Sequence, residues 1–252
     1  MTDAPPPADA ATGDAATGDG APRRSRAPLE AVLLDAMGTL IELAEPPGDT
    51  YARIAAEHGV ALPAWRLGDA FERVRRRMPP MVFPDADARD VPALERAWWR
   101  DLVRQVFLAT DGTAHFADFE AFFDALFAHY ARAAAWRLRP GARDALSAMR
   151  ARGWRLGVVS NFDHRLAGIL EDLGIASFFD VVATPATARA AKPDPAALAA
   201  ALAGVRAPAA ACAYVGDDAA LDARAARAAG MRFVDVSALD ALDALPALVE
   251  AA

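Results

Sequence analysis

From Pro140-Gly141 onward the chain alternates short apolar runs with longer Ala- and Leu-rich stretches, and no other feature constrains the fold as tightly. A helix over 142–151 leads through Gly153 to a strand over 155–159. A helix over 164–173 then closes at Gly174, a residue suited to a helix C-terminus. The pattern predicts further strands over 179–183, 212–215 and 232–236, separated by helices over 195–202 and 220–229, the last closing at Gly230. Strands that alternate with helices of this length form a parallel sheet covered on both faces, an α/β architecture.

One further strand stands apart, upstream. Ala31-Val32-Leu33-Leu34 is an apolar run that ends at Asp35 and is followed by Gly38-Thr39, which reads as a buried strand and its turn. Between about Asp49 and Tyr130 the periodicity is helical. Leu94, Trp98, Leu102 and Val106 fall on one helical face, with Arg96, Arg100 and Arg104 off it, and Phe116, Phe119, Phe123 and Phe127 mark a second amphipathic helix. These aromatics are expected to form a bundle core, and the adjacent Trp98 and Trp99 cannot both enter it. Arg73, Arg75, Arg76 and Arg77 read as a solvated face. Residues 1–27 carry a Pro5-Pro6-Pro7 run and a repeated Ala-Thr-Gly-Asp, with too little apolar surface to offset the entropy of ordering. The expected organisation is a disordered tail over 1–27, an α/β core from 28–43 plus 136–252, and a helical insertion over 44–135.

Composition narrows the partners. A net charge of −7 argues against nucleic acid and anionic membranes, which reward clustered Lys and Arg. The single cysteine, Cys212, excludes an internal disulfide framework, fits a reducing compartment and lies in a predicted buried strand. No apolar run approaches the roughly 20 residues of a membrane helix. Arg23-Arg24 resembles part of an export signal, but the apolar stretch behind it is cut short at Asp35. A cytoplasmic location is expected. No sustained heptad marks a coiled-coil partner.

Ligands of open parallel sheets bind beyond the carboxyl ends of the strands. Polar clusters fall at or near four such ends: Asp35, Ser160-Asn161, Lys192-Pro193 and Gly216-Asp217-Asp218. Together they supply carboxylates, a hydroxyl, an amide and an ammonium, a set that suits an anion and a cation. A carboxylate at Asp35 can serve as nucleophile, as metal ligand or as both. Asp217, with Asp218 and Asp222, adds the hard oxygen ligands that Mg²⁺ prefers. Lys192 can hold the nucleophile and a phosphoryl oxygen by charge, and Ser160 can bind a further oxygen. Gly38 and Thr39 allow close backbone approach and add a hydroxyl. Asp163 reads as a possible cap for the helix that follows it.

These motifs resemble those of the haloacid-dehalogenase-like hydrolase superfamily. They stand here, in order, as Asp35-Ala36-Met37-Gly38-Thr39-Leu40, Val158-Val159-Ser160-Asn161-Phe162-Asp163, Ala191-Lys192-Pro193-Asp194-Pro195 and Val215-Gly216-Asp217-Asp218, with Asp222 downstream. The resemblance implies a Rossmann-like parallel-sheet core with an inserted all-helical cap domain that closes over the site. It implies that Asp35 forms a covalent aspartyl intermediate. Mg²⁺ would be held by Asp35, the Met37 main-chain carbonyl and Asp217, with Asp218 and Asp222 beside them. Ser160 and Lys192 match the phosphate-binding hydroxyl and lysine, Gly38, Thr39 and Asn161 are expected to face substrate, and the substrate is expected to be a small phosphorylated anion.

One departure bears on the chemistry. Phosphatase members carry a second Asp where this chain has Met37, and that Asp protonates the leaving oxygen and then activates water. Acid–base help of this kind is worth about 10²–10⁴-fold. Met37 therefore points to a phosphohydrolase that is either weak or specialised for good leaving groups such as acyl phosphates, with His164, His58 or His129 as candidates to assist water. Two alternatives stand beside it. A 2-haloacid dehalogenase needs neither the acid nor a metal, and its first motif is similar to Asp35–Leu40. A non-catalytic member would use the same fold to bind a phosphorylated ligand or a partner.

Overall fold

A computed structural model of the chain describes residue 1 and residues 27–252, so the expected tail and Arg23-Arg24 lie outside the described residues except for Met1 and Ala27. The first strand, β1 (Ala31–Leu34), is fully buried and central. A short loop leads to β2 (Ile41–Leu43). Four helices follow: α1 (Pro47–Glu57), α2 (Ala64–Arg75), α3 (Val91–Thr110) and α4 (Phe119–Tyr130). The chain returns through β3 (Trp136–Leu138), which pairs antiparallel with β2, Leu43 opposite Trp136. The four helices are thus strung between the two arms of one small ribbon.

The rest is α/β. In order come α5 (Ala142–Ala151), β4 (Arg155–Val159), α6 (Leu166–Asp172), β5 (Val181–Ala183), α7 (Pro185–Ala188), α8 (Ala196–Val205), β6 (Cys212–Gly216), α9 (Arg224–Ala228), β7 (Arg232–Asp235) and α10 (Leu245–Ala251). The strands form one parallel sheet in the order β5-β4-β1-β6-β7, with Leu34 in register with Val158 on one side and Val215 on the other. Alternation along β1 divides the core into two layers. Val32 and Leu34 pack with Leu146 and Met149 of α5, Ile169 of α6 and Val249 of α10. Ala31 and Leu33 pack with Leu198 and Val205 of α8 and Ala225 of α9. Gly157 in β4 is required there, since a Cβ would stand 2.7 Å from both Leu33 and Val181.

The helices of the insertion enclose a third, separate core, rich in aromatics. Phe116 stacks on Phe122 at 4.3 Å between ring centroids, and Phe107 meets both edge-on. The arginines of α3 do not merely face solvent. Arg96 lies over the Phe123 and Phe127 rings and Arg100 over Phe119, while each also pairs with an acid of α4, Asp124 and Glu120 respectively.

The structure corrects several expected details. Phe116 precedes α4, whose N-cap is Asp118, because the Asp118 carboxylate accepts the Ala121 amide at 3.0 Å and starts the helix there. Leu94 is exposed, and the neighbouring Glu95 is buried in its stead, drawn inward by a polar partner described below. The strand expected from Phe179 begins at Val181, after a turn of 3₁₀ helix. The helix expected over 220–229 opens as a π-turn, Ala219–Ala223, in which the Asp218 carbonyl accepts from the Asp222 and Ala223 amides. Wide turns of this kind gather at functional sites, and here the turn folds the Asp222 side chain back toward the sheet.

Candidate active site

The site is assembled where the central strands end. The Asp35 amide continues the sheet ladder, donating to the Val215 carbonyl at 2.9 Å, so its buried carboxylate emerges at the tip of β1. The chain then turns sharply: the Ala36 carbonyl accepts from the Leu40 and Ile41 amides at 2.7 and 2.9 Å, and Gly38 takes a φ of +86° that L side chains rarely adopt. A Cβ on Gly38 would collide with the Asp217 carboxylate, which packs directly on this turn. Thr39 Oγ1 donates to Asp217 Oδ1 at 2.8 Å. Arg139 holds the turn from behind, donating to the Gly38 carbonyl at 2.8 Å.

Lys192, the single lysine of the chain, is buried and lies at the centre. Its Nζ stands 2.8 Å from Asp35 Oδ1, 2.7 Å from Asp222 Oδ1 and 2.9 Å from the Tyr214 hydroxyl. Burial works to lower its pKa, but Asp35 and Asp222 outweigh it and hold the ammonium above the ordinary lysine range. Asp35 is pushed up by burial, against the pull of Lys192, with the like charge of Asp222 adding to the rise. Asp217 is raised in the same way, by burial first and by Asp222, with Thr39 opposing. Asp35, Asp217 and Asp222 bring one oxygen each within 4.8 Å of one another. Three carboxylates face one ammonium.

Other expected site residues are spent on the protein itself. Both ends of the Asn161 amide engage Lys192: Oδ1 accepts its main-chain N–H at 2.8 Å, and Nδ2 donates to its carbonyl at 2.9 Å. Asn161 thereby clamps the lysine loop, and its amide keeps one N–H beyond these two bonds. Asp218 is exposed and caps the turn after β6, its Oδ1 accepting the Ala220 and Leu221 amides at 2.8 and 3.0 Å. The exposed π-turn geometry takes that carboxylate out of the expected cation set. Asp222 belongs to the cluster, but its Oδ2 accepts the Asp217 and Asp218 amides at 3.2 and 3.1 Å while Oδ1 faces Lys192. It positions its neighbours and has little capacity left for a metal. Ser160 is buried at the end of β4, its amide bonded to the Ala183 carbonyl at 3.0 Å. The Met37 side chain is 46% exposed, so an apolar thioether stands two residues after Asp35.

Sequence reasoning missed Tyr214, which reads as a core residue in an apolar strand. It also missed a second polar cluster, where α3 meets the loop after β4. Glu95 accepts both the His164 amide, at 3.1 Å, and its Nδ1, at 2.5 Å. Asp163 accepts from the Arg165 amide and side chain, at 2.9 and 2.5 Å, and from Trp99 Nε1 at 2.6 Å. Asp163 therefore ties the insertion to the core rather than serving α6 as a simple cap. The polar tip of Trp99 was the only local signal, since a buried indole N–H needs an acceptor.

Together, a parallel α/β sheet and a buried acid–lysine cluster at its strand ends define the candidate active site. Residues 29–230 match the haloacid dehalogenase-like hydrolases, and the chain belongs to that family. It is similar to the cattle protein called haloacid dehalogenase-like hydrolase domain-containing protein 3, 34% identical over 218 residues, 86% of each chain. The human protein of that name is also 34% identical, over 83% of this chain and 82% of its own length. Among solved structures, a phosphoglycolate phosphatase assigned by prediction from Haemophilus somnus superposes with a TM-score of 0.58 at 18% identity, over 82% of this chain and 84% of that one. An L-2-haloacid dehalogenase superposes at 0.62 and 20% identity, over 82% and 83%. At such identities these two likenesses concern the fold. Among the described residues no helix is long and apolar enough to cross a membrane.

Proposed function

We propose that the protein is a Mg²⁺-dependent phosphohydrolase that works through an aspartyl-phosphate at Asp35 and acts on small phosphorylated anions with good leaving groups. The observation that carries this reading is the charge balance. Three clustered carboxylates oppose the one ammonium, and the two with capacity to spare, Asp35 and Asp217, are hard oxygen donors. The close packing of Asp217 on the glycine turn after Asp35 suits both to one small divalent ion. Bound there, Mg²⁺ would neutralise the excess negative charge and favour approach of an anionic substrate.

The residues of the chain then divide the work. Lys192 holds Asp35 and screens an incoming phosphoryl oxygen, and Ser160 offers a hydroxyl to another. Asp35 forms a bond to phosphorus as the bond from phosphorus to the leaving oxygen breaks, with the electron pair departing on that oxygen. A carboxylate leaving group carries the pair without a proton, which suits Met37. Water must still resolve the aspartyl-phosphate, releasing phosphate and the free carboxylate. With no acid–base side chain at position 37 this becomes the slow step, so an initial burst should precede steady turnover. The helical insertion would act as the cap that selects the substrate. The buried Cys212 thiol, pushed up by burial to a pKa of about 11, stays protonated and fits a reducing cytoplasm, where we place the protein.

The test is phosphate release from acetyl phosphate and p-nitrophenyl phosphate with Mg²⁺, by wild type, Asp35→Asn and Met37→Asp. Wild type should favour the acyl phosphate, Met37→Asp should gain on the ester, and Asp35→Asn or a chelator should abolish both. Activity that survives Asp35→Asn or chelation overturns the reading. The apolar Met37 favours one alternative, carbon–halogen cleavage, whose halide leaves without a proton. Chloride release from 2-chloropropionate without metal would decide for it.

A further inference from the structure

We propose that Tyr214 is a positioning residue: its buried hydroxyl takes one proton of the Lys192 ammonium and anchors it to the Val159 carbonyl. The inference rests on the reading of Lys192 as part of the reactive site. An ammonium has three protons and no acceptor. Nζ donates to Asp222 Oδ1 at 2.7 Å and to the Tyr214 hydroxyl at 2.9 Å, while Asp35 Oδ1 lies 2.8 Å away as an ion pair outside hydrogen-bond alignment. The polarity of the Tyr214 contact follows from the hydroxyl's other bond. Tyr214 has a single proton, and the Val159 carbonyl accepts it at 2.8 Å, closer than Asp222 Oδ1 at 3.3 Å. The oxygen must therefore accept from Nζ.

This arrangement links three strand ends. Val159 closes β4 immediately before Ser160, Tyr214 belongs to β6 shortly before Asp217, and Asp35 follows β1 between them. A lysine stem is flexible, and its ammonium protons turn about the Cε–Nζ bond unless hydrogen bonds hold them. The bonds to Asp222 and Tyr214 together stop that rotation and fix where Nζ stands against Asp35; with Asp222 alone, both are looser. Tyr214 has no accessible surface, so water cannot take the hydroxyl's place without repacking the core. The Tyr214 ring also lies 5.5 Å from Nζ, and Phe would retain that face and its packing. The hydroxyl alone is thus the group under test.

Because the chain has one lysine, protein carrying lysine labelled with ¹⁵N at Nζ gives one side-chain ammonium signal. In the wild type that signal should be sharp and slow to exchange, with cross-relaxation to the Tyr214 hydroxyl proton. In Tyr214→Phe, exchange of the ammonium should rise at least about tenfold, as expected for a lost hydrogen bond to a charged group. Its kcat on acetyl phosphate should fall about tenfold with KM held within about threefold. An unchanged ammonium signal in a folded Tyr214→Phe overturns the proposal. So does a wild type whose ammonium is visible but shows no cross-relaxation to the hydroxyl, whether or not the variant folds. If the ammonium responds as stated and neither protein turns over substrate, the positioning role stands and the hydrolase reading falls.

Discussion

The protein buries charge in two places, and they are built in opposite ways. At the tips of β1 and β6, Asp35 and Asp217 are pushed up in pKa, because burial and the like charge of Asp222 outweigh the help they receive. At the junction between the insertion and the core, Asp163 is more deeply enclosed, yet its carboxyl is held below the usual range. Burial works to raise it, but Arg165, through side chain and main chain, and Trp99 overcome that. The first cluster holds more negative charge than its donors satisfy. The second is closed: every acid has its donors. Poise belongs to a site that must accept something, and saturation to one that must only hold.

The sharpest way to break the comparison is to remove one acid from the poised cluster. Asp35→Asn should cost activity by more than about 10³-fold, the scale of losing a nucleophile, while leaving thermal stability equal or higher, since it relieves a crowded charge. A large loss of stability would put the two clusters in one class.

The junction should behave in reverse. Arg165→Leu leaves Asp163 buried without its cationic partner and should destabilise by about 3 kcal/mol in denaturant unfolding. Arg165 also donates to the Phe127 carbonyl at 3.1 Å and lies over its ring at 3.8 Å, so the insertion should loosen first. Hydrogen exchange in α3 and α4 would report that loosening, and an unaltered pattern there would deny the junction its tethering role.

The pH dependence sharpens the contrast with a definite sign. Asp163 has a folded pKa below its unfolded value of about 3.9. Its stabilisation is therefore fully present above that value and is lost as pH falls through the lower, folded pKa. Asp163→Asn should flatten the acid limb of the stability curve below about pH 4, and an identical limb in the variant would show that the contact contributes nothing. The smallest effect is expected from Glu95→Gln, an amide that still accepts the His164 amide. A loss of about 1 kcal/mol is expected, measured by thermal unfolding.

Much of the fold was legible because its signals are local. Apolar runs that stop at Asp35, Ser160 and Gly216-Asp217 announce buried strands with polar tips, and Gly153 and Gly174 punctuate the helices between them. Asp35, Lys192 and Asp217 were legible for the same reason. Tyr214 was not, because an aromatic in an apolar strand looks the same whether its hydroxyl is idle or engaged. Glu95 was hidden too, since its partner, His164, lies 69 residues away. Asn161 and Asp218 were read as site residues from their place in the motifs; that one clamps the lysine loop and the other caps a turn depends on backbone groups that only the folded loops bring near.

By itself, then, the sequence determined which elements form, which of their ends carry charge and which atoms have the chemistry of a nucleophile, an ammonium and a cation ligand. These are properties of short segments. The tertiary structure decided which of those groups are poised and which are satisfied. A hydrogen bond is a matter of tenths of an ångström, and the partners of Lys192 converge from strands that lie far apart in the chain. Burial removes the water that would otherwise equalise them, so the arrangement of neighbours alone separates Asp35 from Asp163.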